Sequence, residues 1–343
     1  MKQLAIAILA SGITLFGCGG DPNSVNLLPS FVGGSGDIVV VMPQKAWDGE
    51  SGDALRNIFY HSYPLLPQHE PLFNLDHISP DQFDKFWKPH RNVIMADFDD
   101  RIDTQEPSVV MQKNKFSNGQ IFITVKAKSQ ADFAEAVKAR ASEMLSVLES
   151  EELKRIGALN GAYASPNIMK ELVNWGGITM NIPKDARIKV KQEDFVWIDR
   201  QMTRMKGGRN HDIQQGIFIY TYPYTSDSMF SRTFLLNKRD SILKYHVPGP
   251  VDGSYMATEY YYQPVYEEIE FKGRFTAEMR GLWKLEGDFM GGPFYSMTFL
   301  DERTGNLVTI DGFAYAPYFD KREYIREVEA IIKTLKFKKT PEA

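Results

Sequence analysis

The apolar positions change period along the chain, and each change marks an element. Ile38-Val39-Val40-Val41-Met42 is a continuous apolar run, which suits a strand covered on both faces. Helical spacing follows from Asp53 to Phe59, and Pro64, Pro67 and Pro71 then interrupt regular structure. Ser79-Pro80-Asp81 joins a hydroxyl cap, a proline suited to a first turn and a carboxylate near the positive end of the dipole. It predicts a helix with Phe83, Phe86 and Trp87 on one face. Strands are expected over 92–98, 108–113 and 120–128. The longest helix should start at Ser129, which has capping-box spacing to Asp132 and leads into a stripe of Phe133, Val137, Met144, Leu145 and Leu148. Ser165-Pro166 opens another helix, which runs out at Trp175-Gly176-Gly177.

After Gly177 the texture turns to strands, expected over 178–182, 187–191, 195–202 and 213–224. A helix over 229–245 follows, then three or four more strands. One pair is joined by Asp301-Glu302-Arg303-Thr304-Gly305-Asn306, whose residue types suit a hairpin turn. A last helix over 321–335 carries Tyr324, Val328, Ile331, Ile332 and Leu335 on one side. The pattern predicts an α+β protein: two domains of mostly antiparallel sheet covered by helices, over 37–176 and 177–343. The length of the chain agrees with two domains.

The first residues add an address. Met1-Lys2-Gln3 precedes an uncharged apolar stretch from Leu4 to Phe16, shorter than the ~20 residues of a spanning helix, and this is the layout of an export signal. Leu15-Phe16-Gly17-Cys18 resembles the bacterial lipobox. That resemblance implies cleavage before Cys18, a diacylglycerol on its sulfur and an acylated amino terminus. Several acyl chains anchor stably where one does not. Residues 19–36, with Gly19-Gly20 and Gly33-Gly34-Ser35-Gly36, are expected to be a flexible tether. Cys18 is the only cysteine, so an exported body would have neither disulfide nor thiol catalyst. The formal charge is -4, and loss of Lys2 with the signal makes the body one unit more negative. A mildly acidic body argues against nucleic acid as a partner.

Candidate chemistry is sparse. Phe218, Tyr220, Tyr222 and Tyr224 alternate, so a strand points all four one way, and Tyr260 and Tyr262 repeat the pattern. Such a row is expected to pack under a helix with its hydroxyls at the rim. Exposure of Tyr222 and Tyr224 together with Tyr260 or Tyr262 would make it a binding row instead. The segment Arg280-Gly281-Leu282-Trp283 to Gly287-Asp288-Phe289-Met290-Gly291-Gly292 is read as a tight connection between strands. Arg280, Trp283 and Asp288 are its candidate binding residues, since glycines permit close approach of a ligand. The acidic run Asp97 to Asp103 lacks the spacing of a calcium loop and reads as a solvated turn. None of His61, His69, His77, His90, His211 and His246 has a zinc-type partner spacing. Nucleophile elbow, phosphate loop and dinucleotide fingerprint are all missing. No catalytic residue, metal or cofactor is therefore assigned.

Several runs together resemble a known family. They are Trp47 with Gly52-Asp53-Ala54-Leu55-Arg56, Leu66-Pro67-Gln68-His69-Glu70-Pro71-Leu72-Phe73, and His90-Arg91-Asn92-Val93-Ile94. Later come Lys238-Arg239-Asp240-Ser241, Val247-Pro248-Gly249-Pro250, Gly253-Ser254-Tyr255-Met256 and Arg280 to Phe294. The chain resembles a Bacteroidota lipoprotein family known as a domain of unknown function, DUF4837, and the resemblance implies no activity. In that group acidic residues after the lipidated cysteine resemble a surface-export signal. Gly19-Gly20-Asp21 supplies one, so the expected place is the outer membrane, facing the periplasm. The first functional expectation is a non-enzymatic module that binds an envelope protein, peptide or glycan. The alternatives are a hydrolase drawing on His90, Arg280 and Asp288, and a carrier with an apolar hollow along Tyr220 and Tyr222.

Overall fold

The computed structural model describes residues 28–102 and 109–338, so Cys18 and Asp103 lie outside the described residues. The first half is built on a five-stranded sheet. Its strands are β1 (Asp37–Val41), β2 (Asn74–Ile78), β3 (Asn92–Phe98), β4 (Val109–Lys113) and β5 (Ile121–Ala127), in the order β2-β1-β3-β5-β4. The apolar run behaves as its pattern predicts. Ile38 and Val40 enter one core, Val39 and Val41 enter another on the opposite face, and all four are buried.

This smaller sheet departs from the expected antiparallel character. β1 runs parallel to β2 and β3, and β3 parallel to β5; the β4–β5 pair alone is antiparallel. The physical reason is in the connections. Helices α1 (Gln44–Trp47) and α2 (Glu50–Phe59) separate β1 from β2, and parallel neighbours need such long crossovers. The Ser79 helix also shrinks to a single 3₁₀ turn, Pro80–Gln82, although its capping box forms. Phe83 then leaves helical geometry, so Phe83 and Trp87 cover the sheet while Phe86 faces solvent.

The long helix expected from Ser129 is two. α3 (Gln130–Ala139) starts with the predicted Ser129–Asp132 capping box, and α4 (Ala141–Ala162) begins after a break at Arg140. The break lets one apolar stripe serve two surfaces: α3 packs on α2 and β5, and α4 packs on the final helix. α5 (Pro166–Gly176) opens on Ser165, as predicted. It ends at Gly177, whose φ of 65° is the left-handed conformation a helix C-terminus favours.

The second half has a large antiparallel sheet. Before it, β6 (Ile178–Thr179) is shorter than the expected strand. β7 (Arg187–Lys191), β8 (Phe195–Lys206) and β9 (Arg209–Pro223) precede α6 (Arg232–His246). β10 (Tyr255–Glu259), β11 (Val265–Phe271), β12 (Arg274–Glu286), β13 (Gly291–Asp301) and β14 (Asn306–Tyr315) follow. The order is β10-β12-β13-β14-β9-β8-β7, with β11 beside the first part of β12. α7 (Arg322–Lys333) and β15 (Lys336–Phe337), which pairs with β6, end the described chain. The Asp301–Asn306 turn joins β13 to β14, as its residues predict.

Helices cover both faces of the large sheet. On one, Met297, Phe299 and Ile310 meet Val328, Ile331 and Ile332 of α7, in the same apolar cluster as Ile38 and Ile123 of the first half. Glu70 draws the halves together, its carboxylate accepting the Lys321 and Arg322 backbone N–H groups at 2.7 Å each. A carboxylate suits the positive end of the α7 dipole. On the other face, α6 lies on a second cluster built from Phe218, Tyr220, Trp283, Phe294 and Phe313. Among the described residues no helix is long and apolar enough to cross a membrane.

Candidate functional site

The face under α6 holds most of the candidate residues. Phe218, Tyr220 and Tyr222 of β9 point to it together, as strand alternation requires, and Tyr224, one residue past the strand, packs against the same cluster. Leu235, Leu236 and Leu243 of α6 close over the first part of the row, leaving Tyr220 1 % and Tyr222 7 % exposed. Burial pushes the Tyr222 phenol up to about 12, and its hydroxyl meets Thr309 Oγ1 at 3.4 Å. Arg239 fastens α6 to the sheet. Its Nε donates to Asp311 at 2.8 Å, its Nη1 to Thr258 Oγ1 at 2.9 Å, and its guanidinium lies 3.8 Å from the Phe294 ring centre. Asp240 accepts from the Thr258 backbone N–H and from the Tyr260 hydroxyl, both at 2.8 Å. This part of the row is therefore core.

Past the start of α6 the same face opens. α6 begins only after Ser231, and Tyr224 lies instead beside the 3₁₀ turn Asp227–Phe230 that precedes it. A cleft of about 650 Å³ lies there, walled by Tyr224, Phe230, Tyr266, Phe275 and Leu300. Phe230 and Phe275 meet edge to face at 5.0 Å, and Phe275 is 49 % exposed. The Tyr224 hydroxyl donates to Asp227, and that of Tyr266 donates to Glu268 at 3.0 Å. Burial and Glu268 push the Tyr266 phenol up to about 12. Asp227, Glu268 and Glu302 line the cleft, and no salt bridge to them forms among the described residues. The lining cation Arg274 is engaged elsewhere: it donates to the Leu300 carbonyl at 3.3 Å and lies 4.4 Å from the Phe337 ring centre.

A second opening of about 430 Å³ lies beyond the other end of α6. Trp197, Trp283, Met256, Met290 and Phe313 line it beneath the Val247–Pro250 loop. The Lys189 ammonium sits 3.6 Å from the Trp197 ring centre, and burial lowers its pKa. The Trp197 Nε1–H is buried without an acceptor, whereas Trp283 donates to the Ala314 carbonyl at 3.3 Å.

The remaining candidates scatter. Tyr260 and Tyr262 lie in the β10–β11 connection rather than in a strand, because the chain loops out before rejoining β12 at Arg280. Both are partly exposed, but they do not join the Tyr224 cleft. Asp288 accepts from the backbone N–H of its neighbour Phe289 at 2.7 Å in the β12–β13 turn. Arg280 lies at the seam between the halves, bonded to Glu329 at 2.6 and 2.7 Å and to Glu278 at 2.9 Å. Tyr63, Glu149 and Arg326 surround it. Burial, then Glu329, raises the pKa of both Tyr63 and Glu149. His90 is buried near Trp87 in the first half, and burial lowers its pKa. His90, Arg280 and Asp288 thus occupy three separate places and form no acid–base set. Asp99 pairs with Arg101 in the turn after β3. Among the described residues no group of three or more His, Cys, Asp or Glu is placed to hold a metal.

Phe230, Tyr266, Phe275 and Leu300 were not among the sequence candidates. Their signal lies in the two edges of one hairpin: alternating Tyr266 and Glu268, then Lys272-Gly273, then Phe275. Lys272 and Gly273 both have positive φ, 53° and 76°, which is the geometry of a tight two-residue hairpin.

No curated protein matches the chain. Among solved structures, a mutant of the protein Mog1 aligns at 8% identity with a TM-score of 0.31, covering 48% of this chain and 93% of that one. The Saccharomyces cerevisiae Ran-binding protein Mog1p aligns at 9% identity with a TM-score of 0.28, covering 48% and 91%. Residues 32–159 match the family model described as a domain of unknown function, DUF8532. Residues 165–334, which contain both openings beside α6, match the model described as a domain of unknown function, DUF4837. The chain thus carries a DUF8532 region followed by a DUF4837 region, each a domain of unknown function.

Proposed function

We propose that this protein is a lipid-anchored binding module of the cell envelope. Acylated Cys18 holds it on the outer membrane, facing the periplasm, and the cleft at the start of α6 receives an envelope protein, peptide or glycan. The observation that carries this reading is the cleft itself: an open hollow with four aromatic walls and fixed polar groups, the usual make-up of a recognition site. The hydrolase alternative draws no support from His90, Arg280 and Asp288, which lie apart. The carrier alternative needs a hollow along Tyr220 and Tyr222, and those rings are packed under α6.

Crosslinking of the native lipoprotein in intact cells tests the reading, with a Tyr266→Ser/Phe275→Ser variant alongside. One envelope component should be captured reproducibly by the parent and lost from the variant. Equal capture by both would remove the cleft from the reading. A co-purifying lipid or small molecule with no captured macromolecule would favour the carrier or the enzyme. The anchor is tested separately: Cys18→Ala should abolish acyl labelling, and continued labelling contradicts it.

A further inference from the structure

One wall of the cleft is also an edge of the sheet. β11 pairs with β12 from Val265 opposite Arg280 to Phe271 opposite Arg274, and no strand pairs with its outer side among the described residues. An unpaired edge offers a row of backbone donors and acceptors to another chain. Tyr266 and Glu268 point from this edge into the cleft. An added strand would place every second side chain toward the same hollow.

The charge of the hollow selects what those side chains are. Asp227, Glu268 and Glu302 line it without a salt bridge among the described residues, and Glu270 lies exposed on the same edge strand. Of the two cations of the β11–β12 hairpin, only Arg274 lines the hollow, one positive charge against three carboxylates, and both are held by backbone carbonyls. Lys272 donates to the Leu335 carbonyl, and Arg274 to that of Leu300. Aromatic faces beside carboxylates that lack a cationic partner suit an ammonium or guanidinium group, which the ring quadrupole and the negative charge both attract.

We propose that the cleft and β11 together receive an extended, basic segment of a partner protein, added as a strand to the outer edge of β11 with alternate Lys or Arg side chains entering the hollow. This rests on the reading of the cleft as a binding site and names the class of its occupant. Main-chain pairing supplies affinity and the cleft supplies specificity, as in other strand-addition complexes.

Three dye-labelled hexapeptides test it, each alternating Leu with Lys, Gln or Glu, measured by fluorescence anisotropy against the folded body at low and high salt. The Lys peptide should bind about tenfold more tightly than the Gln peptide, with the Glu peptide weaker still and the preference shrinking in high salt. A Glu268→Gln/Glu302→Gln variant should lose most of that preference while its unfolding midpoint stays in place. Equal binding of all three peptides, binding of none, or a preference untouched by the variant overturns the proposal. Failure here and failure of the binding-module reading are distinguishable. A captured partner that still depends on Tyr266 and Phe275 keeps the cleft as a site while removing the basic segment as its occupant.

Discussion

Tyr222, at the end of β9, and Tyr224, one residue past that end, belong to one alternating row and meet opposite fates. Tyr222 lies under α6 with Leu235 and Leu236 in its cluster; Tyr224 borders an open cleft. Nothing in the alternation of the sequence separates them. The difference is made later in the chain, where Ser231 fixes the start of the helix that covers one and not the other. A strand pattern fixes which side a residue faces, and the partner element decides whether that side is core or surface.

The covered part should be the easier to break. Arg239→Ala leaves the Asp311 carboxylate buried without its partner, and should cost about 3–5 kcal/mol in urea denaturation. Replacing both by apolar residues of similar volume should recover much of that loss. Tyr220→Ala removes a fully buried ring and should cost about 3 kcal/mol, read from the same titration. Ser231→Ala removes a cap whose bond to the Phe234 N–H is long, 3.4 Å, so the loss should be about 0.5–1 kcal/mol. Phe275→Ala, on the open part, should change stability by under about 1 kcal/mol while abolishing partner capture. Loss of folding on the scale of Tyr220→Ala would show that Phe275 is core and erase the contrast.

The seam between the halves gives the smallest effect and a pH signature. Burial, then Glu329, raises the Glu149 carboxyl above its ordinary value in the folded protein. A raised acid favours folding fully at low pH, where it is protonated in both states, and that contribution is lost as pH rises through the folded value. Glu149→Gln should therefore stabilise the protein near neutral pH. The gain should fade as pH drops through the ordinary carboxylate range, measured by denaturation at several pH values. A gain that grows toward acid contradicts the sign.

Much of the fold was legible because it rests on local rules. The Ser129–Asp132 box, the Ser165-Pro166 start and the Asp301–Asn306 turn stand where their residues put them. The parallel pairing of β1, β2 and β3 was not legible, since strand order depends on crossovers and not on the pattern within a strand. Glu70 shows the same limit. In sequence it is a neighbour of His69 that fails a zinc pattern; in space it caps a helix whose first N–H groups lie 251 and 252 residues away. The candidate site was half legible. Tyr224 came from its row, whereas Phe230, Tyr266 and Phe275 come from three elements whose meeting is a tertiary fact.

The most direct test places a photoreactive phenylalanine analogue at one position at a time in the full-length protein: Phe275 and Tyr266 in the cleft, Phe86 and Phe289 at exposed sites away from it. Irradiation of intact cells should give a discrete adduct from positions 275 and 266 and none from 86 and 289. Adducts from the distant positions with none from the cleft would move the binding surface elsewhere on the molecule.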